Sequence, residues 1–285
     1  MEKMKSALVL EGGAMRGIFT CGVIDIFMEN GISFDAVCGV SAGAVFGSNY
    51  KSGQIGRGVR YNKKYGRDPR YCSIRSLIKT GDLYGFEFCY HEIPDKLDVF
   101  DKKAFSENPM NFFVGATDVY SGKTVYHKCE SCDETDILWM CASASMPLLS
   151  RVVTVDGYTL LDGGISDPIP YRYMEEIGYN RNVIILTQPK DFKKAKSRSV
   201  PLMKLMLKKY PAIVDAMEHR HEIYKKQLDE ICDMEKSGKV YVIRPSESMG
   251  IGRTEKNPDE LERVYQMGRA EAKKRLNEVK SFITS

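Results

Sequence analysis

Ser41 is the residue whose type and surroundings most clearly indicate chemistry. It lies between two glycines in Gly39-Val-Ser-Ala-Gly43, directly after the apolar run Ala36–Val40 and before a helix of small residues that reaches about Tyr50. This order of strand, serine and helix is typical of a nucleophile elbow, a sharp turn that exposes a serine hydroxyl at the edge of a sheet. The start of a helix at the serine also favours developing negative charge. The stretch therefore predicts a nucleophilic serine.

Two further stretches carry the groups that such a serine needs. A glycine-rich turn follows the first apolar strand, and the backbone N–H groups of Gly12, Gly13 and Ala14 in this turn are candidates for an oxyanion hole. Asp162 ends an apolar strand directly before two glycines, on a tight turn. We interpret Asp162 as the candidate general base, although only the fold could bring it to Ser41.

Two other chemistries are less consistent with the sequence. A dinucleotide site at the first glycine turn is disfavoured, because Ala14 replaces a glycine of that fingerprint and Ser41 stands where an acidic residue is expected. His127, Cys129 and Cys132 have metal-like spacing, but the sequence contains no second pair of ligands. We therefore expect no metal and no cofactor.

A Ser-His-Asp hydrolase remains an alternative. In that class the histidine follows the acid late in the chain, so His219 or His221 would be the candidate. Both histidines lie in a charged helical stretch, which favours a solvated role.

Alternating strands and helices are predicted around these residues. Ser6–Leu10, a helix to about Asn30, and Ala36–Val40 form a β-α-β unit, so the two strands should be parallel neighbours. Later strands are predicted at 111–116, 124–127, 151–155, 158–161 and 181–187, with a helix at 136–144. Residues 51–110 are expected to cover the serine and line a substrate pocket.

The composition of the chain changes after Pro189. We predict an α/β domain over residues 1–189 and a basic, mainly helical extension over residues 190–285, with one more edge strand near Lys239–Ile243 and a last helix over 259–283. The chain carries 42 Lys and Arg against 38 Asp and Glu, and the basic excess lies in the extension. A basic, apolar segment at 201–209 favours either core packing or contact with an anionic membrane surface. Nothing indicates a nucleic-acid partner.

No apolar run approaches the roughly 18 residues of a membrane span. The N-terminal apolar stretch is too short for a signal peptide, and the eight cysteines read mainly as reduced core residues. We therefore expect a cytoplasmic protein, with peripheral attachment to the inner face of the membrane as the alternative set by the basic segment.

The three motifs around Gly12, Ser41 and Asp162 together resemble the patatin-like phospholipase family, over about residues 6–187. The stretches 141–147 and 156–164 add to the resemblance. It implies a three-layer α/β/α fold with a mostly parallel sheet and a Ser–Asp dyad that hydrolyses acyl esters of lipids. The elbow serine corresponds to Ser41, the dyad aspartate to Asp162, the oxyanion loop to residues 12–14, and the basic residue of the loop to Arg16.

The resemblance implies an enzyme of the phospholipase or lysophospholipase type, acting on a lipid or another acyl ester. Ala14 departs from the usual third glycine of the loop but keeps its N–H, and Asp167 stands where the family often has asparagine. A free carboxylate is a weak base, so Asp162 needs desolvation to raise its pKa. A membrane-binding scaffold without catalysis is the alternative from another class, but it would be expected to have lost one of these motifs.

Overall fold

An eight-stranded sheet lies at the centre of the structure, a computed structural model that describes residues 4–284. The strands are β1 (Lys5–Leu10), β2 (Ala36–Val40), β3 (Asn111–Asp118), β4 (Thr124–Cys129), β5 (Val153–Val155), β6 (Tyr158–Asp162), β7 (Tyr179–Ile185) and β8 (Val240–Ile243). The helices are α1 (Ile18–Glu29), α2 (Ala42–Lys51), α3 (Arg57–Tyr65), α4 (Ile74–Thr80), α5 (Lys102–Glu107), α6 (Glu134–Ala144), α7 (Tyr171–Glu176), α8 (Val200–Met206), α9 (Pro211–Lys236) and α10 (Pro258–Thr284). Short 3₁₀ turns occupy Ala14–Gly17 and Gly163–Ile165, and a π-helical segment spans Phe88–Leu97.

The strand order is β5-β6-β3-β2-β1-β7-β8, and β4 pairs with β3. Five neighbouring strands of the sheet run parallel, in the order β3-β2-β1-β7-β8. Strands β4, β5 and β6 are antiparallel to their partners. The predicted β-α-β unit at the start of the chain is confirmed, because β1 and β2 are parallel neighbours on either side of α1. The predicted edge strand near residue 240 is also confirmed as β8, which pairs with β7.

Helices cover both faces of the sheet, which makes the fold a three-layer α/β/α sandwich. Leu8 and Leu10 of β1 belong to a large apolar cluster with α1, α2 and α10. Ala7 and Val9 alternate with them and join a cluster on the opposite face with α7 and α9. Because successive residues of a strand point to opposite faces, a strand buried on both sides reads as the continuous apolar run seen at residues 7–10.

Helix α1 is buried on all sides from Ile18 to Phe27. Its sequence suggests one buried face, with Phe19, Val23, Ile26 and Phe27, but Ile24 on another face is equally buried. The reason is α10, which packs across the outer side of α1 at a crossing of two glycines, Gly22 and Gly268. The C-terminal region therefore forms part of the same core.

Residues after 189 supply β8 to the central sheet, α9 to one face and α10 to the other. The predicted division at residue 189 falls between β7 and β8, two paired strands of one sheet. Within residues 4–284, no helix combines the length and the apolar character that crossing a bilayer requires.

Candidate active site

Ser41 occupies a strained turn between β2 and α2. Its backbone has φ 56° and ψ −125°, a region that residues with a side chain rarely adopt. The crossing of strand and helix requires glycines on both sides, because a Cβ at Gly39 would lie 2.5 Å from the backbone of Gly43 and one at Gly43 would lie 2.4 Å from the carbonyl oxygen of Leu10. The predicted strand–serine–helix turn is therefore present, with the serine almost buried at 9% exposure.

Strand β3 brings Asp162 to Ser41. One edge of β3 pairs first with β2, as far as Val40 opposite Gly115. The same edge then pairs with β6, where Asp162 lies opposite Ala116. Asp162 therefore continues the line of β2 just where β2 ends at the serine. The Ser41 Oγ donates a hydrogen bond of 2.6 Å to Asp162 Oδ2.

The Asp162 carboxylate is buried, with 5% of the residue exposed. Its other oxygen accepts the N–H of Gly164 at 2.8 Å. Burial raises the pKa of Asp162, and the hydrogen bond from Ser41 and the charge of Arg220 offset part of that rise. A raised pKa makes this carboxylate a stronger proton acceptor than a solvated aspartate.

The glycine turn after β1 lies against the serine. A Cβ at Gly12 would lie 3.0 Å from the Ser41 Cβ, and one at Gly13 would lie 2.7 Å from the Thr187 Oγ1. Ala14 adopts φ 49°, so the residue that replaces the usual glycine is held in the left-handed region. Among residues 4–284, the N–H groups of Gly13 and Ala14 have no protein acceptor, whereas that of Gly12, the third predicted donor, bonds to the Pro168 carbonyl at 3.4 Å. The turn that packs on the serine through Gly12 therefore carries two backbone donors without an acceptor.

Arg16 follows this loop and is partly buried. Its Nε is buried and has no hydrogen-bond partner within the described part of the chain. Burial lowers the pKa of Arg16, and the neighbouring Arg253 lowers it further, while Glu11 raises it.

A cavity of about 170 Å³ opens at Ser41. Its wall is mainly aromatic and aliphatic, and much of it comes from residues 57–102, as expected for the segment after α2: Tyr61, Tyr71, Tyr84, Phe86, Tyr90, Ile93 and Phe100. Ala14 also lines it, so the glycine turn and the serine both border this cavity. A cavity of this composition suits a hydrocarbon chain.

No histidine among the described residues bonds to Ser41 or Asp162. His219 and His221 contact carbonyl oxygens of their own helix, α9. His91 lies near Asp95 and Glu134, and His127 bonds to Asp136. The geometry therefore gives no support to the Ser-His-Asp alternative.

His127, Cys129 and Asp136 bring potential metal ligands within 4.8 Å of one another. Both oxygens of the Asp136 carboxylate have partners, because one bonds to His127 and the other accepts three backbone N–H groups at residues 130–132. Burial, and after it the charge of Asp136, raise the pKa of Cys129 well above its usual value. The cluster is explained as a hydrogen-bonded anchor between β4 and α6.

Two residues at the site were not singled out from the sequence. Ser143 on α6 accepts the N–H of Ser41 at 2.8 Å and donates to the Gly115 carbonyl at 2.6 Å, which fixes the strained turn. Arg220 on α9 donates to the carbonyl of Gly164, next to Asp162. Ser143 falls in the stretch 141–147 that contributed to the family resemblance, whereas nothing distinguished Arg220 from the other charged residues of its helix.

The fold and the site place the chain among α/β/α proteins that hold a serine on a strained strand-to-helix turn. More particularly, it belongs to the patatin-like phospholipase family, whose model matches residues 8–174. Residues 210–284 match a second model, a domain of unknown function (DUF6363).

The chain is similar to several proteins. The uncharacterized protein YjjU of Escherichia coli is 31% identical over 198 residues, 64% of this chain and 52% of that protein. Lysophospholipase NTE1 of Meyerozyma guilliermondii is 28% identical over 178 residues, 60% of this chain and 12% of that protein. The crystal structure of VipD from Legionella pneumophila aligns with a TM-score of 0.46 and 13% identity, over 97% of this chain and 67% of that one. The chain spans about half or less of the length of these curated relatives.

Proposed function

We propose that this chain hydrolyses acyl esters of lipids, with Ser41 as the nucleophile and Asp162 as the general base. The observation that carries the proposal is the 2.6 Å hydrogen bond from Ser41 Oγ to Asp162 Oδ2, with Ser41 lining an apolar cavity. Membership of a family of phospholipases, and similarity to a protein named as a lysophospholipase, support the same reaction class.

In this mechanism the Asp162 carboxylate takes the Ser41 proton as Oγ attacks the ester carbonyl carbon. The negative charge that develops on the carbonyl oxygen is stabilised by the free N–H groups of Gly13 and Ala14, each worth roughly 3 kcal/mol in comparable sites. Asp162 then protonates the departing alcohol, and the acyl group stays on Ser41. Water, deprotonated by Asp162, attacks the acyl-serine. As the bond from the acyl carbon to Oγ breaks and the fatty acid leaves, Asp162 returns that proton to Ser41 Oγ.

A panel of acyl esters and phospholipids with the purified protein tests this proposal, together with labelling by a serine-directed fluorophosphonate. Ser41→Ala and Asp162→Asn should each lower kcat/KM by about 10³-fold or more, because the two groups act as a unit. His219→Ala and His221→Ala should retain activity.

Asp167→Asn is the matched control for Asp162→Asn. The Asp167 carboxylate bonds to Tyr126 and Gln227 and not to the serine, so the same chemical change should leave most of the activity. A folded wild-type protein that neither turns over any ester nor labels would favour a scaffold without catalysis. If a histidine variant were as inactive as Ser41→Ala, the assignment of a Ser–Asp dyad would be wrong and a Ser-His-Asp triad would take its place.

We also propose peripheral contact with an anionic membrane surface through α8. Val200 and Met203 of this helix are buried in the fold, whereas Leu202, Leu205 and Met206 are 49%, 63% and 63% exposed. Lysines follow at 208 and 209. An exposed apolar stripe beside basic residues suits the interface of a bilayer, where an insoluble substrate resides.

A further inference from the structure

Four basic side chains, here called the basic cluster, come near one another from separate parts of the chain: Arg16 after the glycine turn, Lys194 after β7, Arg220 on α9 and Arg253 before α10. The charges of Arg220 and Arg253 also reach Asp162 and lower its pKa. Arg220 bonds to the carbonyl of Gly164, the residue whose N–H holds the Asp162 carboxylate. The loop that carries Arg253 reaches the glycine turn, where the Arg253 carbonyl accepts the N–H of Met15 at 3.4 Å. Lys194 Nζ lies 4.4 Å from the centre of the Tyr224 ring on α9.

The positive charge of the basic cluster is not neutralised by ion pairs. Within the described part of the chain, none of its four side chains has a carboxylate within 4.0 Å. Glu11 and Asp162 are the neighbouring acids, and neither forms an ion pair with the cluster: Glu11 accepts hydrogen bonds from Thr187 and Tyr224, and Asp162 accepts them from Ser41 and Gly164. By contrast, Arg57 at the apolar cavity is bonded to the carbonyl of Asp98 and lies 3.5 Å from its carboxylate.

Holding these cations together carries an electrostatic cost. Burial lowers the pKa of Lys194 to about 7, and the charges of Arg220, Arg253 and Arg16 lower it too, against the opposing effect of Glu11. The buried Nε of Arg16 has no acceptor, and a buried donor without a partner is unfavourable. A bound anion would relieve both costs, because it supplies acceptors and opposite charge.

The basic cluster is separate from the lining of the apolar cavity. Ser41 and Ala14 line the cavity, whereas none of the four basic residues does. An ester placed at Ser41 therefore has an apolar surface available for its acyl chain and a cationic one available for its alcohol side. Phosphate is the common anion on the alcohol side of lipid esters, and arginine and lysine side chains bind it with charge-assisted hydrogen bonds.

We propose that the basic cluster binds a phosphate group, that of the alcohol portion of the acyl-ester substrate, while the acyl chain fills the apolar cavity. This inference rests on the proposed ester hydrolysis at Ser41. Three of the four cations, Lys194, Arg220 and Arg253, come from the chain after residue 189. The C-terminal region thus contributes to the substrate site itself, on the headgroup side.

A matched pair of substrates tests the proposal: a 1-acylglycerol 3-phosphate and the monoacylglycerol with the same acyl chain, both below their aggregation concentrations. The wild-type protein should show a kcat/KM about tenfold or more higher for the phosphate-bearing ester, since one charge-assisted hydrogen bond is worth about that factor. The double variant Lys194→Gln/Arg253→Gln should remove most of this preference. Both residues lie in loops, and neither side chain makes a hydrogen bond or an ion pair within residues 4–284; Lys194 contacts only the ring of Tyr224 among the interactions described above.

The matched control is Lys193→Gln/Arg198→Gln, which removes the same charge from the same region. Lys193 and Arg198 are exposed and lie outside the basic cluster, so the preference should stay at the wild-type value. A preference that survives in Lys194→Gln/Arg253→Gln, or that is equally lost in the control, would overturn the proposal.

Inorganic phosphate separates the two sources of the anion. Calorimetric titration of Ser41→Ala with phosphate should show binding that Lys194→Gln/Arg253→Gln, added to that background, abolishes. Phosphate binding that alters monoacylglycerol turnover, without any preference between the two esters, would assign the site to free phosphate rather than to a headgroup. If phosphate did not bind and the protein showed no preference between the two esters, the phosphate site would be refuted. Phosphate binding without hydrolysis of either ester would refute only the proposed function at Ser41.

Discussion

The crossing of α1 and α10 gives a sharp prediction about stability. A Cβ at residue 268 would lie 2.0 Å from the carbonyl oxygen of Phe19, and one at Gly22 would lie 2.1 Å from that of Tyr265. Ordinary Cβ contacts begin at about 3.4 Å, so Gly268→Ala forces the two helices apart by more than 1 Å. No rotamer change can relieve the overlap, because the opposing atoms belong to backbone.

The cost follows from two opposing effects. Overpacking of a close-packed contact costs about 1–3 kcal/mol, and here the value should lie at the upper end because two long helices must move. Alanine is a better helix former than glycine by about 1 kcal/mol, which offsets part of that cost. The net loss for Gly268→Ala is therefore about 2 kcal/mol, or a decrease in Tm of about 4–8 °C for a chain of this size.

Thermal and urea denaturation of wild type and variants measure this change. Gly252→Ala is the control, because a Cβ there meets no atom within 4 Å, and its stability should stay within about 0.5 kcal/mol of wild type. If Gly268→Ala unfolded at the wild-type temperature or above it, α10 would not cover α1 as described, and the argument for one shared core would fail.

Three further predictions concern activity. The kcat/KM for esters should fall as the pH drops through the pKa of Asp162, because the carboxylate must be ionised. Since burial raises that pKa, the acid limb of the profile should lie above about 3.9, the pKa of a free aspartate. A kcat/KM that stays constant down to that pH would contradict the assignment of Asp162 as the base. Gly12→Ala should lower kcat/KM by about 10²-fold with little loss of stability, since its Cβ would press on Ser41 from 3.0 Å and displace the oxyanion donors; activity equal to that of Gly252→Ala would argue against the loop. Leu205→Ser/Met206→Ser should weaken co-sedimentation with anionic vesicles, and undiminished binding would exclude α8 as the docking element.

Features set by short stretches of chain could be predicted from the sequence. The apolar run before Ser41 and the glycines around it require the strand, the turn and the helix that the structure contains. The hairpin of β5 and β6 could also be predicted, because Asp-Gly is a typical sequence for a tight two-residue turn. Asp156 and Gly157 adopt the positive φ values, 51° and 78°, that such a turn requires. In each case the local residues leave few alternatives.

Features set by distant parts of the chain could not be predicted in this way. The outer side of α1 is covered by α10, more than two hundred residues later, so its periodicity suggests one buried face where the helix is buried all round. In the sequence, nothing distinguishes Arg220 from the other charged residues of α9. Its contact with Gly164 could not be predicted, because that contact depends on how α9 lies over the sheet. The exposure of Leu205 and Met206 likewise depends on which side of α8 the core takes.

The arrangement of the sheet suggests how reaction and selectivity are divided along the chain. The separation of Ser41 from Asp162 is set by the register of β3 with β2 and β6, and a slip of one residue in β6 would turn Asp162 to the opposite face. The backbones also meet at Gly163, where a Cβ would lie 2.1 Å from the carbonyl of Gly115, so this register has little freedom. The proposed dyad thus depends on the part of the chain that the family model covers, whereas most of the basic cluster comes from residues beyond it. On the phosphate proposal, substitutions in that C-terminal part should change which ester is preferred while leaving the chemistry at the serine in place.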